Sequence, residues 1–255
     1  MTMTIKIENL KKTFGDKTAV NIPDFSIASS DILGLVGNNG AGKTTLFRLM
    51  LDLLKADEGS ATFEVTRVQE SEDTKERESK GTAESINPAL SEEWKTFTGA
   101  YIDDGFLIDF LTPEEYFDFI AKVNNINKEQ LEERLAGFSA FMADEILNQG
   151  KYIRDFSAGN KQKIGIIAAI IKHPQLLILD EPFNFLDPSS QNILKNMLTD
   201  YAKESGATIL VSSHNLQHTV EISTRIALME HGTIVKDLPN DNSSAAQELE
   251  DYFKR

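Results

Sequence analysis

"GNNGAGKTT" fills residues 37–45, and its reading decides the rest. It fits the pattern G-x-x-x-x-G-K-[ST]. The apolar run "ILGLV" stands directly before it, and Leu46, Phe47, Leu49, Met50, Leu53 and Leu54 follow at helical spacing. A strand, a glycine-rich turn and a helix start in that order make a phosphate cradle. Gly37, Gly40 and Gly42 let successive backbone N–H groups turn inward, and the helix N-terminus adds its positive end. Asn38, Asn39, Ala41 and Thr45 complete the cradle. Lys43 is placed to reach the β- and γ-phosphates of a nucleotide, and the Thr44 hydroxyl to ligate Mg2+. The helix is expected over residues 43–55.

Two later strands point at the same chemistry. In "LLILDEP", residues 176–182, an apolar strand carries Asp180 and Glu181 to its C-terminal end, where ligands of parallel sheets sit. Asp180 is expected to orient Mg2+ and Glu181 to polarise an attacking water. "LVSSHN" repeats the form and ends near His214, which can donate a hydrogen bond to a γ-phosphate oxygen. Together these residues describe a P-loop nucleoside triphosphatase.

The surrounding pattern gives an α/β fold. Short apolar strands alternate with helices, so a mainly parallel sheet covered by helices is expected, with a small antiparallel β subdomain at the front. "TIKIENLKKTF" and "TAVNIPDFSIAS" read as the first strands, the second broken at Pro23. Residues 66–93 are polar, charged in both signs and without apolar periodicity, and read as a loop or partly ordered insertion. Thr112 and Pro113 open a helix, and helical patterning continues to Gln149 with Gly137 as an interruption. Residues 104–160 are therefore expected as a helical subdomain inserted into an α/β core of residues 1–100 and 160–238. A further helix follows in "GNKQKIGIIAAIIKHP", where Ile164, Ile167, Ala168 and Ile171 share one face. A hairpin turning at His231 and Gly232 and a tail helix within residues 239–255 complete the chain.

The bulk numbers narrow the class. The chain has 255 residues, 40% of them hydrophobic, no cysteine, and a formal net charge of −14. Such a surface repels nucleic acid phosphates, so no nucleic acid partner is expected. The absence of cysteine excludes disulfides. "MTMTIKIENLKKTFG" has no apolar h-region, and no apolar tract approaches the roughly 20 residues that span a bilayer. A soluble chain, or one held at a membrane through a partner, is expected.

One stretch is left over: "DFSAGNKQK", residues 155–163, which sets Ser157 and Gly159 at a second helix start far from the first cradle. The order phosphate loop, helical insert, S-x-G-N, Asp-Glu strand, L-D-P and His resembles the ATP-binding domain of ABC transporters over nearly the whole chain. That resemblance implies an ATPase with ATP and Mg2+ as cofactors. It implies two such subunits, identical or not, sandwiching two ATP, and a separate integral membrane permease that holds the subunit at the inner face of the cell membrane. It also implies that Phe14 stacks on adenine, that Ser157 and Gly159 contact ATP held by the other subunit, and that Asp187 reaches across to the other site. Glu181, His214 and Lys43 become the catalytic set. The chain departs from the family in "FSAGN" for L-S-G-G-Q, and in Phe183 and Phe185 where small or polar residues are usual. It also places Asp103 where a glutamine normally serves the metal side, with Asp104 as competitor. "GNKQK" and the short tail favour export. A soluble ABC ATPase that does not transport is the alternative.

Overall fold

The computed structural model describes residues 2–68, 81–241 and 245–253. Strands β1 (Thr2–Phe14), β2 (Lys17–Ile27), β4 (Glu58–Val68) and β5 (Gly81–Ile86) form a four-stranded antiparallel sheet in the order β2-β1-β4-β5. Strands β3 (Ile32–Val36), β6 (Thr98–Tyr101), β7 (Leu176–Leu179), β8 (Thr208–Ser213), β9 (Arg225–Glu230) and β10 (Thr233–Pro239) form a six-stranded sheet in the order β10-β9-β3-β8-β7-β6. All of its pairings are parallel except β9–β10. Helices α1 (Lys43–Met50), α2 (Trp94–Phe97), α3 (Pro113–Val123), α4 (Lys128–Gly137), α5 (Ser139–Met142), α6 (Ala158–Ile170), α7 (Pro188–Ser205), α8 (Leu216–Ile222) and α9 (Ala245–Phe253) fill the connections.

The parallel sheet is buried on both faces, and strand alternation divides the core. Leu176, Ile178 and Leu210 point to one side, where they meet Leu46 and Phe47 of α1 and Ile5, Ile7 and Phe63 of the antiparallel sheet. Leu177, Leu179, Ile209 and Val211 point to the other, against α6, α7 and the helices of the insert. In that insert Phe117 and Phe141 are fully buried, so the helical subdomain shares its core with the sheet. A third cluster joins Val36, Ile226 and Leu228 to α8 and α9.

Several expectations shift. The helix after the phosphate loop stops at Met50, because Asp52 takes a left-handed conformation (φ 50°), and Leu53 is exposed. Strand β2 runs through Pro23 without a break. It is an edge strand, where a missing N–H leaves no ladder bond unmade. The ends of the polar stretch 66–93 are ordered: Thr66 and Val68 extend β4, and β5 pairs with them, Val65 facing Glu84. Residues 69–80 lie outside the described part. Helix α6 is not one-sided, since every residue from Gln162 to Ile170 is buried. Thr112 caps α3 as expected, in a reciprocal capping box with Glu115.

Candidate functional site

The phosphate loop lies where β3 ends and α1 begins, at the C-terminal edge of the parallel sheet. Gly42 precedes α1 at φ 111°, and a Cβ there would lie 2.3 Å from the Ala19 carbonyl oxygen, so no other residue fits. No side chain caps this helix. The loop is held from behind: the Gly232 N–H donates to the Ala41 carbonyl (2.9 Å), and the Asn21 N–H to the Gly232 carbonyl (2.7 Å). The buried Lys43 ammonium donates to the Gly37 carbonyl (2.7 Å) and reaches the Asn38 carbonyl (3.5 Å).

Parallel pairing brings the ends of β3, β7 and β8 side by side, and with them the residues singled out in the sequence. The Thr44 hydroxyl donates to Asp180 Oδ2 at 2.5 Å. Lys43 Nζ lies 3.4 Å from Glu181 Oε1. His214 Nδ1 lies 2.8 Å from Glu181 Oε2, and the His214 backbone N–H donates to the same oxygen at 3.2 Å. Lys43, Thr44, Asp180, Glu181 and His214 thus form one connected group. The His214 imidazole thus lies against the Glu181 carboxylate. Burial pushes the Asp180 carboxyl above the usual carboxylate range, against the Ser212 and Thr44 hydrogen bonds that pull it down.

The donor set suits Mg2+. Thr44 and Asp180 offer a hydroxyl and a carboxylate in contact, both oxygen ligands, and leave positions for phosphate oxygens and water. Among the described residues no group of three or more His, Cys, Asp or Glu is placed to hold a metal ion.

Asp103 stands apart from that pair. Its Oδ2 accepts from Arg48 Nη2 (2.7 Å) and its Oδ1 from the Gly105 N–H (2.9 Å), as the cap of a 3-10 turn over Asp104–Phe106. With Asp104 it lines a cavity of about 410 Å3 that Asp180 and Glu181 also line, closed on the far side by the start of α6 and by Phe185. Phe14 is 52% exposed at the tip of β1. The hairpin that follows brings Lys17 beside the loop, with its Nζ 4.0 Å from a Cβ built on Gly40.

The second helix start is built differently. The Ser157 hydroxyl accepts the Asn160 N–H at 3.3 Å and so caps its own helix. A Cβ on Gly159 would lie 2.6 Å from the Phe185 carbonyl, so the 183–187 segment lies directly on α6. Asp187 caps α7, accepting from the Ser189 and Ser190 N–H groups and the Ser190 hydroxyl, which hold its carboxyl below the usual range. The two unexplained phenylalanines separate here. Phe183 is buried against the His218 ring (5.0 Å between centroids), whereas Phe185 is 73% exposed with φ 64°.

Two residues of this site escaped the sequence reading. Ser212, fully buried on β8, donates to Asp180 Oδ1 and accepts the Glu181 N–H at 2.9 Å. Gln162, on α6, donates to the Glu181 carbonyl at 3.3 Å. Ser212 had a signal, a small polar residue ending an apolar strand; Gln162, set between Lys161 and Lys163, had none.

Known proteins resemble the chain over most of its length. The sequence pattern of the ABC transporter family matches residues 20–184. The bacitracin transport ATP-binding protein BcrA of Enterococcus faecalis is 32% identical over 239 residues, covering 93% of this chain and 70% of that protein. The lantibiotic transport ATP-binding protein SrtF of Streptococcus pyogenes is 27% identical over 249 residues, covering 96% and 95%. Among solved structures, an ATP-binding subunit of an ABC transporter superposes with a TM-score of 0.77 at 21% identity, over 98% of this chain and 99% of that one. A dimeric bacterial ABC transporter cassette gives 0.74 at 19%, over 93% and 99%.

Proposed function

The chain belongs to the ABC transporter family, and from that premise we propose how its residues divide the work. It is an ATP-binding subunit whose hydrolysis of ATP powers transport through a separate membrane permease. The observation that carries the assignment of roles is the connected group at the ends of β3, β7 and β8.

ATP is held with its phosphates in the loop 37–45 and its adenine against Phe14. Lys43, buried beside the loop carbonyls, turns its ammonium onto β- and γ-phosphate oxygens. Thr44 and Asp180 would hold Mg2+, which when bound would neutralise charge on the phosphate oxygens. Glu181 takes the proton of the attacking water at its carboxylate, and His214 fixes that carboxylate through the 2.8 Å contact. The leaving ADP oxygens keep the loop N–H groups and Lys43 as partners.

Ser157, Gly159 and Asp187 act on the ATP of a second subunit, so that two chains close over two nucleotides. The loop holding Asp103 and the helices of residues 104–160 form the surface that meets the permease. Among the described residues no helix is long and apolar enough to cross a membrane, which supports attachment through that permease at the inner face of the cell membrane. Relatives named for bacitracin and lantibiotic transport support export as the direction. The deciding experiment purifies the chain from native membranes and identifies what accompanies it. A co-purifying permease whose loss abolishes substrate efflux is the expected result; association with ribosomes alone would overturn the transport role.

A further inference from the structure

Glu181 is the one residue of the connected group held in a left-handed conformation, at φ 48°. A side chain in that region is strained and persists only where its surroundings over-determine it. We propose that Ser212 and Gln162 are positioning residues that clamp the main chain of Glu181, one on each side of its Cα, and so aim its carboxylate. The proposal rests on the reading of Glu181 as the general base.

The clamp has two arms on two different elements. From β8, the buried Ser212 hydroxyl accepts the Glu181 N–H at 2.9 Å and spends its single proton on Asp180 Oδ1. One hydroxyl therefore fixes the Asp180 carboxylate relative to the Glu181 peptide. From α6, the Gln162 amide donates to the Glu181 carbonyl at 3.3 Å, and the Asn184 N–H adds a second bond to the same oxygen at 3.1 Å. Gln162 is 7% exposed, and this is its only side-chain hydrogen bond among the described residues. A buried amide is expensive to leave unpaired, so the bond holds both partners in place.

The arm from α6 has a consequence for the pair of subunits. Ser157 caps that same helix, and Gln162 lies little more than one turn further along it. The helix that reads the partner's ATP is thus the helix that holds the base of its own site. A shift of α6 reaches Glu181 through one amide, with no loop between.

The test measures ATP hydrolysis by the full chain carrying Ser212→Ala, Gln162→Met or Gln162→Glu. The two Gln162 replacements keep the length of the side chain and remove the donor. In each, kcat is expected to fall on the order of 10- to 100-fold while KM and the calorimetric ATP affinity stay within about twofold, the mark of a misaimed base with an intact nucleotide pocket. A kcat within about twofold of wild type for both Gln162 variants, or a KM that rises in step with the loss, overturns the clamp. Should Ser212→Ala fail to fold, the Gln162 pair decides. Glu181→Gln is run beside them. If it hydrolyses ATP at the wild-type rate, the base assignment is wrong and the clamp goes with it. If it is inactive while the clamp variants are unimpaired, only the clamp fails.

Discussion

Helices α1 and α6 both start at small residues, and both starts read as anion sites, yet they are built in opposite ways. The start of α1 has no side-chain cap; Gly42 stands at the cap position and leaves the first N–H groups for a ligand. Lys43 supplies a buried cation aimed at that same loop, and Thr44, Asp180 and Glu181 close round it. The start of α6 is capped by its own Ser157. Its buried Lys163 turns away, to Glu145 at 3.8 Å and the Phe141 ring at 5.8 Å, where it stabilises the helical insert. One start is a whole site and the other a fragment. A fragment needs something brought to it, and in the proposed pairing that is the ATP of a second subunit.

The hardest blow to that comparison is aimed at α1's side. Glu181→Gln is expected to lower turnover on the order of 10²- to 10⁴-fold and to trap a nucleotide-bound dimer on size exclusion. Wild-type hydrolysis would remove Glu181 from the mechanism. Lys43→Ala should weaken ATP binding by about 10- to 100-fold in calorimetry, the loss of one charge-assisted contact. Unchanged affinity would mean that α1's start is no more complete than α6's. On the other side, Ser157→Ala should leave the ATP affinity of the isolated chain within about twofold while turnover drops. Mixing it with Lys43→Ala should restore activity above either alone, because some pairs then hold one intact composite site. A mixture no better than its parts counts against the trans arrangement.

The smallest effect concerns Asp180, whose burial raises its carboxyl above the usual range. The sign follows from linkage. A raised carboxyl favours the fold at pH below the ordinary carboxylate range, and that advantage is lost as pH rises through the raised value. Asp180→Asn, melted without nucleotide or metal, should therefore be more stable than wild type near pH 7, with the gain shrinking towards about pH 4. A variant less stable at neutral pH would show that the Thr44 and Ser212 hydrogen bonds outweigh the buried charge.

Much of this site was legible because its chemistry is local in sequence. The phosphate loop, the Asp180–Glu181 pair and His214 each end an apolar run, and parallel pairing needs nothing more to bring them together. What escaped depends on tertiary contact. Gln162 looks like a surface residue of an amphipathic helix until α6 is found buried on all sides. Residues 81–86 carry no apolar alternation because β5 lays little on the core: Ala83, Glu84 and Ser85 are exposed and Ile86 is buried. Leu53 and Leu54 continue the helical spacing past the true end of α1, since backbone strain at Asp52 is invisible to periodicity. Asp103 was expected on the metal side from its position alone, and the arginine that holds it comes from another element.

Pro23 does more than fit an edge strand. Its neighbours make it a guard. On the outer rim of β2, the Asn21 N–H is already taken by Gly232, and at the next outward-facing position Pro23 has none to give. A foreign strand laid along that edge would find a broken row of donors. Against unwanted sheet extension, and the aggregates it seeds, the rim is interrupted by a single imino acid and a hairpin turn.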